Sequence, residues 1–169
     1  GLAQSLNIES KLFARIHTFG KAMGCHGAVI LGSETLKQYL VNFSRSFIYT
    51  TALSQHSLNA IACSYTKLEN STVERPLLKS NIDLFQNLLS DKLKSKWIPS
   101  KSPIQCILVK GNSEVKELEE QLQNRGFNIK AILHPTVEEG KERIRICIHS
   151  YNTKEQITAC VKSLEELIK

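Results

Sequence analysis

Three of the chain's eight glycines, Gly20, Gly24 and Gly27, lie within eight residues of one another, and none occurs between Gly32 and Gly111. Glycine gives a backbone the freedom to turn and breaks helices and strands from within. One irregular loop is therefore expected over residues 19–27. The long glycine-free stretch is broken only by Pro76, Pro99 and Pro103, and it suits long helices. Before the loop, residues 12–18 read as a short strand; after it, residues 28–31 (Ala-Val-Ile-Leu) read as a second, buried strand. Ser33 is placed to cap a helix through about Asn42, with Leu36, Tyr39, Leu40 and Phe43 on one face. Ile48 to Thr51 is β-prone and falls in a connection, and a helix follows from about Ser54 to Leu68.

The second half has a more regular rhythm. Residues 74–95 carry Leu77, Leu78, Ile82, Phe85, Leu88, Leu89 and Leu93 near helical period, which predicts one long helix. Ile104 to Val109 reads as a strand ending in a turn at Lys110-Gly111-Asn112. Ser113 would cap a helix to about Arg125, with Gly126 just past its end. Phe127 to Ile132 reads as a strand. Arg143 to His149 alternates, with Ile144, Ile146 and Ile148 on one side, as a half-buried strand must. Thr153 caps the last helix. Helix, β, α, β, β, α is the order of an α+β layer, with helices on one face of a small sheet, and a boundary falls near residue 70.

At 169 residues the chain amounts to one domain or slightly more, and 41% hydrophobic against 22% charged residues gives it enough apolar surface for a core. No apolar run approaches the roughly 18 residues of a membrane span, and Gly1 to Ser5 lack the zones of a secretory signal. The net charge of +6 permits an anionic partner, but the basic residues are scattered. Lys92, Lys94 and Lys96 read as a solvated helix face. A non-catalytic basic module would need aromatic residues interleaved with its cations to hold single strands, and none are so placed, so no nucleic-acid partner is expected. Five cysteines at 25, 63, 106, 147 and 160 match no zinc spacing and read as reduced thiols in a cytoplasmic protein. His134 and His149 lack a second ligand at useful spacing, so no metal is expected.

Chemistry concentrates in the loop. Lys21 follows a strand and is flanked by Gly20 and Ala22, which let a flat ligand approach the backbone. A lysine enclosed in such a pocket loses hydration, which disfavours its ammonium form and leaves an amine able to attack an aldehyde. Thr18, three residues earlier, could donate its hydroxyl to a phosphate. Taken alone, the same pattern also describes an ordinary surface turn.

The segment from Thr18 to Gly24, followed by Gly27 to Ser33, resembles the cofactor-lysine loop of the α-oxoamine synthases, pyridoxal-phosphate enzymes of the aspartate-aminotransferase fold. Tyr39 to Leu53, Ser102-Pro103-Ile104-Gln105, Gly126 to Ile132, Pro135-Thr136-Val137, Gly140 and Arg143-Ile144-Arg145 resemble further blocks of that family in the same order. The resemblance implies an α/β protein overall: residues 1–70 as the C-terminal part of a cofactor-binding large domain with its linking helix, and residues 71–169 as an α+β C-terminal domain whose small, mostly antiparallel sheet carries helices on one face.

It also implies roles. Lys21 would hold the cofactor covalently and then move a proton at the substrate's α-carbon. Thr18 would bind the cofactor phosphate, and Thr50 and Thr51 the phosphate in the other subunit of a homodimer. Arg145 would clamp the amino acid carboxylate, with Arg143 structural, and Thr136 would line the substrate site. The Thr-Phe-Gly-Lys, Tyr-Thr-Thr, Ser-Pro-Ile-Gln and Pro-Thr-Val variants point to the branch that joins L-alanine to a pimeloyl thioester in biotin biosynthesis. The glycine acetyltransferase branch is the runner-up. Leu133, His134 and Glu138 stand where the family often has Arg, Pro and Pro, and Tyr151-Asn152 replaces a common His. The family's ring-stacking residue and its Asp partner for the pyridine nitrogen have no counterpart before Lys21, where Arg15 and His17 are the polar candidates. The chain is therefore expected to be the C-terminal part of such an enzyme, inactive alone.

Overall fold

The computed structural model describes residues 1–168, and the chain divides into two compact units, Gly1–Ser71 and the residues from Thr72 onward.

In the first unit, β1 (Ala14–Thr18) and β2 (Ala28–Gly32) form an antiparallel hairpin that pairs Ala14 with Gly32 and Thr18 with Ala28. A short helix α1 (Leu2–Ser5) and a single 3-10 turn over Glu9–Lys11 precede it. Helices α2 (Glu34–Phe43), α3 (Arg45–Ile48) and α4 (Gln55–Asn70) follow. Ser33 caps α2 by accepting the Leu36 N–H, and Ser54 caps α4 by accepting that of Ser57. Each such cap is worth about 1 kcal/mol because it satisfies an amide the helix itself cannot. The β-prone stretch at Ile48 to Thr51 is the end of α3 and a turn. The expectation of a buried second strand is corrected: Ala28, Ile30 and Leu31 are exposed. Among the described residues the hairpin pairs with no third strand, so an apolar run that would suit a sheet interior is left mostly uncovered. Among the described residues, Phe19 is the one buried hydrophobic side chain of this unit.

The second unit is an α+β layer. Helices α5 (Glu74–Leu88), α6 (Asp91–Lys96), α7 (Asn112–Asn124) and α8 (Lys154–Leu167) combine with strands β3 (Trp97–Ile98), β4 (Ile104–Leu108), β5 (Lys130–Ile132) and β6 (Arg143–Cys147). The sheet order is β3-β4-β6-β5, antiparallel throughout. Alternation sends Ile144, Ile146 and Ile148 into a core with Phe85, Leu93, Ile107, Leu122 and Leu164. Each fully buried side chain of this size contributes roughly 1.5–3 kcal/mol of transfer free energy. Arg145, Cys147 and His149 project to the other, open face.

Three expectations shift here. The helix expected over 74–95 is two, separated at Leu89–Ser90. The apolar period runs through the break, but Ser90 accepts the Leu93 N–H and donates to Glu165 at 2.6 Å, starting a new helix. Ser113 does not cap α7; Gly111, at φ +97°, leads directly into a helix that begins at Asn112. Strand pairing after α7 begins only at Lys130, because Phe127 to Ile129 are turned back onto the helix end by Phe127 N–H donating to Leu122 O. Gly126, at φ +87°, ends α7 as its position suggested. Thr153 and Gln156 form a reciprocal capping box on α8.

Candidate functional site

The loop between β1 and β2 closes at its neck. Phe19 N–H donates to Gly27 O at 2.8 Å, and Cys25 N–H donates to Phe19 O at 2.9 Å. Buried Phe19 meets Tyr65 of α4 edge to face, 6.0 Å between ring centres. A methyl placed on Gly27 would come within 3.2 Å of Leu53 Cδ1, and its φ of +113° also selects glycine. The connection bearing Thr50 and Thr51 therefore runs against the loop's exit.

Lys21 rides at the loop's tip, where Gly24 N–H turns back to Lys21 O at 3.1 Å. It is exposed, so the first unit does not enclose it in the pocket expected from its flanking residues. Among the described residues, neither the Lys21 amine nor the Thr18 hydroxyl makes a hydrogen bond or ion pair. A free primary amine three residues from a free hydroxyl fits an aldehyde-and-phosphate ligand. Thr50 and Thr51 are likewise exposed with uncommitted hydroxyls.

In the second unit, Arg145 sits mid-sheet on the open face, paired in register with Cys106 on β4 and Lys130 on β5. Lys130 faces Glu119 at 3.8 Å, and Arg143 donates Nε–H to Lys141 O at 2.8 Å. Among the described residues, Arg145 makes no hydrogen bond or ion pair, leaving its two parallel N–H donors for a carboxylate. Beside it, burial pushes the Cys106 thiol up, against the opposing pull of Arg143 and Arg145. Thr136 is exposed in a turn that follows the cis His134–Pro135 bond. Among the described residues, no cluster of His, Cys, Asp or Glu is placed to hold a metal, and no helix is long and apolar enough to cross a membrane.

Sequence reasoning missed two residues that fix these segments. Asn112 takes the His134 N–H at 2.9 Å and donates to His134 O at 3.2 Å, pinning the Thr136 turn to the start of α7. Ser64 on α4 donates to Met23 O at 3.2 Å and lies 2.9 Å from the Cys25 sulfur. No local pattern marks such contacts, since the partners lie far apart in sequence and only tertiary folding joins them.

The family pattern for aminotransferase class I and II matches residues 4–164. The chain is 32% identical over 173 aligned residues to an 8-amino-7-oxononanoate synthase of Emericella nidulans, covering 97% of this chain and 41% of that protein. The solved 8-amino-7-oxononanoate synthase of Francisella tularensis superposes with a TM-score of 0.82 at 29% identity, over 98% of this chain and 49% of that one. A serine palmitoyltransferase of Sphingomonas wittichii shares the fold, with a TM-score of 0.83 at 18% identity over 99% of this chain and 42% of that one. The fold is that of the pyridoxal-phosphate-dependent transferases. The chain spans about two fifths of the length of the curated relatives it matches.

Proposed function

The chain belongs to the aminotransferase class I and II family, and on that premise we propose that it carries the amine-bearing part of an 8-amino-7-oxononanoate synthase. The reaction proposed is condensation of L-alanine with pimeloyl-CoA or its carrier-protein form, with loss of the thiol and of carbon dioxide. Pyridoxal phosphate is the family's cofactor; when bound it supplies an aldehyde for the amine and a ring that accepts electrons from the substrate's α-carbon. The observation that carries the reading is the free Lys21 amine, three residues from the free Thr18 hydroxyl, on a loop whose neck is closed by backbone hydrogen bonds.

Each residue then has a task. The Lys21 amine would hold the cofactor through its aldehyde and, once displaced by the substrate's amino group, would serve as the acid/base at the α-carbon. Thr18 donates its hydroxyl to the phosphate, and Thr50 and Thr51 donate to the phosphate in the other subunit of a homodimer. Arg145 grips the alanine carboxylate with two N–H groups, and Thr136 lines the same site. The setting is the cytoplasm. The 169-residue chain alone is expected not to turn over, because the family's ring-stacking residue and its Asp partner for the pyridine nitrogen have no counterpart before Lys21; its first unit also exposes Phe13, Ile16, Phe43 and Tyr49.

The experiment is borohydride reduction of the full-length protein with pyridoxal phosphate, peptide mapping of the label, and rates with L-alanine and glycine measured side by side. Label on Lys21 and preference for L-alanine support the reading, whereas absence of label there ends it. Faster turnover of glycine moves the chain to the glycine acetyltransferase branch. Robust product formation by the 169-residue chain itself refutes the inactivity of this piece.

A further inference from the structure

We infer that Cys25 and Ser64 are positioning residues for Lys21, holding its loop against α4 through one carbonyl. The inference rests on the reading of Lys21 as the cofactor amine. Gly20 and Gly24 flank the lysine without packing to restrain them: an added methyl on Gly20 meets nothing closer than Cys25 O at 3.8 Å, and one on Gly24 meets nothing within 4 Å. A lysine between two such glycines would swing unless something held the segment.

The Met23 carbonyl, two residues past Lys21, is where side chains take hold. Ser64 Oγ donates to it at 3.2 Å, and the Cys25 sulfur lies 3.2 Å from it. Cys25 Sγ and Ser64 Oγ are 2.9 Å apart, and Ala60 O, one helical turn before Ser64, lies 3.5 Å from the same sulfur. Thiol and hydroxyl each own one proton. All the groups are satisfied when Ser64 O–H donates to Met23 O and Cys25 S–H donates to Ser64 Oγ or Ala60 O. The loop and the helix are thereby joined by a small network whose far end is a peptide unit two residues past the reactive one. Reactive groups lose rate steeply when their geometry loosens by a fraction of an ångström to an ångström, so the network acts on the amine without touching the ligand.

The test uses the full-length protein with pyridoxal phosphate as the probe. The rate of borohydride-fixed label on Lys21 is measured, together with the pH at which the visible band of the adduct titrates. The variants are Ser64→Ala, Cys25→Ala and the conservative Cys25→Ser. Ser90→Ala, which removes the cap of α6 in the other unit, controls for a general loss of stability. Ser64→Ala and Cys25→Ala are expected to slow labelling about tenfold, the factor matching one ordinary hydrogen bond, and to move the titration midpoint. Cys25→Ser restores both, and Ser90→Ala alters neither at temperatures where it stays folded. If Ser64→Ala labels and titrates as the parent does, or changes only as Ser90→Ala does, the inference is overturned while the reading of Lys21 stands. If the parent itself takes no label at Lys21, both fall.

Discussion

Replacing Gln105 tests how the second unit orders the strand beside Arg145. Gln105 is fully buried on β4. Its Oε1 accepts Trp97 Nε1–H at 2.9 Å, and its Nε2 donates to Ser102 O at 2.7 Å and Ser100 O at 3.1 Å. The amide orientation is dictated by its partners, one donor on one side and two carbonyls on the other. Three hydrogen bonds at about 1 kcal/mol each set a gross cost of about 3 kcal/mol for Gln105→Leu. The abandoned carbonyls lie in the half-buried to exposed Ser100–Ser102 loop, where water replaces the amide, and the leucine returns some apolar burial. The net loss expected is about 2 kcal/mol, or about 1 M in urea midpoint at a slope of about 2 kcal/mol per molar.

Gln105→Glu is the sharper variant. Its carboxylate could still accept from Trp97 but would point a second anionic oxygen at two carbonyls, so the folded state must protonate it. Its folded pKa is then raised above the unfolded value. The stability it retains is present at pH below the ordinary carboxylate range and is lost as pH rises, at about 1.4 kcal/mol for each pH unit between the two pKa values. Urea melts followed by the lone Trp97 and by circular dichroism from pH 4 to pH 8 read this directly. A Gln105→Glu protein whose midpoint tracks the parent at every pH would show that the amide's donors do not hold the loop.

Two further outcomes follow from the same unit. Glu142 is buried and accepts the Gly111 N–H at 3.1 Å, and that backbone hydrogen bond holds its carboxyl below the usual range. A depressed folded pKa contributes stability that is present above the unfolded value and lost as pH falls through the folded one, so Glu142→Gln should flatten the acid limb of stability below about pH 4.5; an unchanged limb counts against the assignment. Burial pushes the Cys160 thiol up to about 12, whereas Cys63 and Cys147 are exposed. Mass-spectrometric alkylation at pH 8 should modify Cys63 and Cys147 well before Cys160, which reacts only once urea opens the unit; early labelling of Cys160 would contradict the packing.

What could be read from the residues was mostly what neighbours in sequence decide. Caps at Ser33 and Thr153 are legible because the hydroxyl and the amide it serves are three residues apart. The inward isoleucines of β6 are legible because a strand alternates. The single helix expected over 74–95 shows the limit: an apolar rhythm continues across Leu89–Ser90 because both helices bury the same core, and periodicity does not register a change of axis. Leu31 and Ile30 misled in the opposite direction, since an apolar run states a preference for burial and not that a covering layer is present. The contacts of Ser64 with Met23 and of Asn112 with His134 leave no periodic trace, because each joins segments that only folding brings together.

The alternation of β6 also separates two kinds of inheritance. Residues of even number along Ile144–Ile148 are tied to the core and cannot drift without loss of folding yield, while Arg145, Cys147 and His149 border open space. Exposed substitutions of that second set typically change stability by no more than about 0.5 kcal/mol. A lineage can therefore try new ligands on one side of a single strand while the other side keeps the scaffold unchanged.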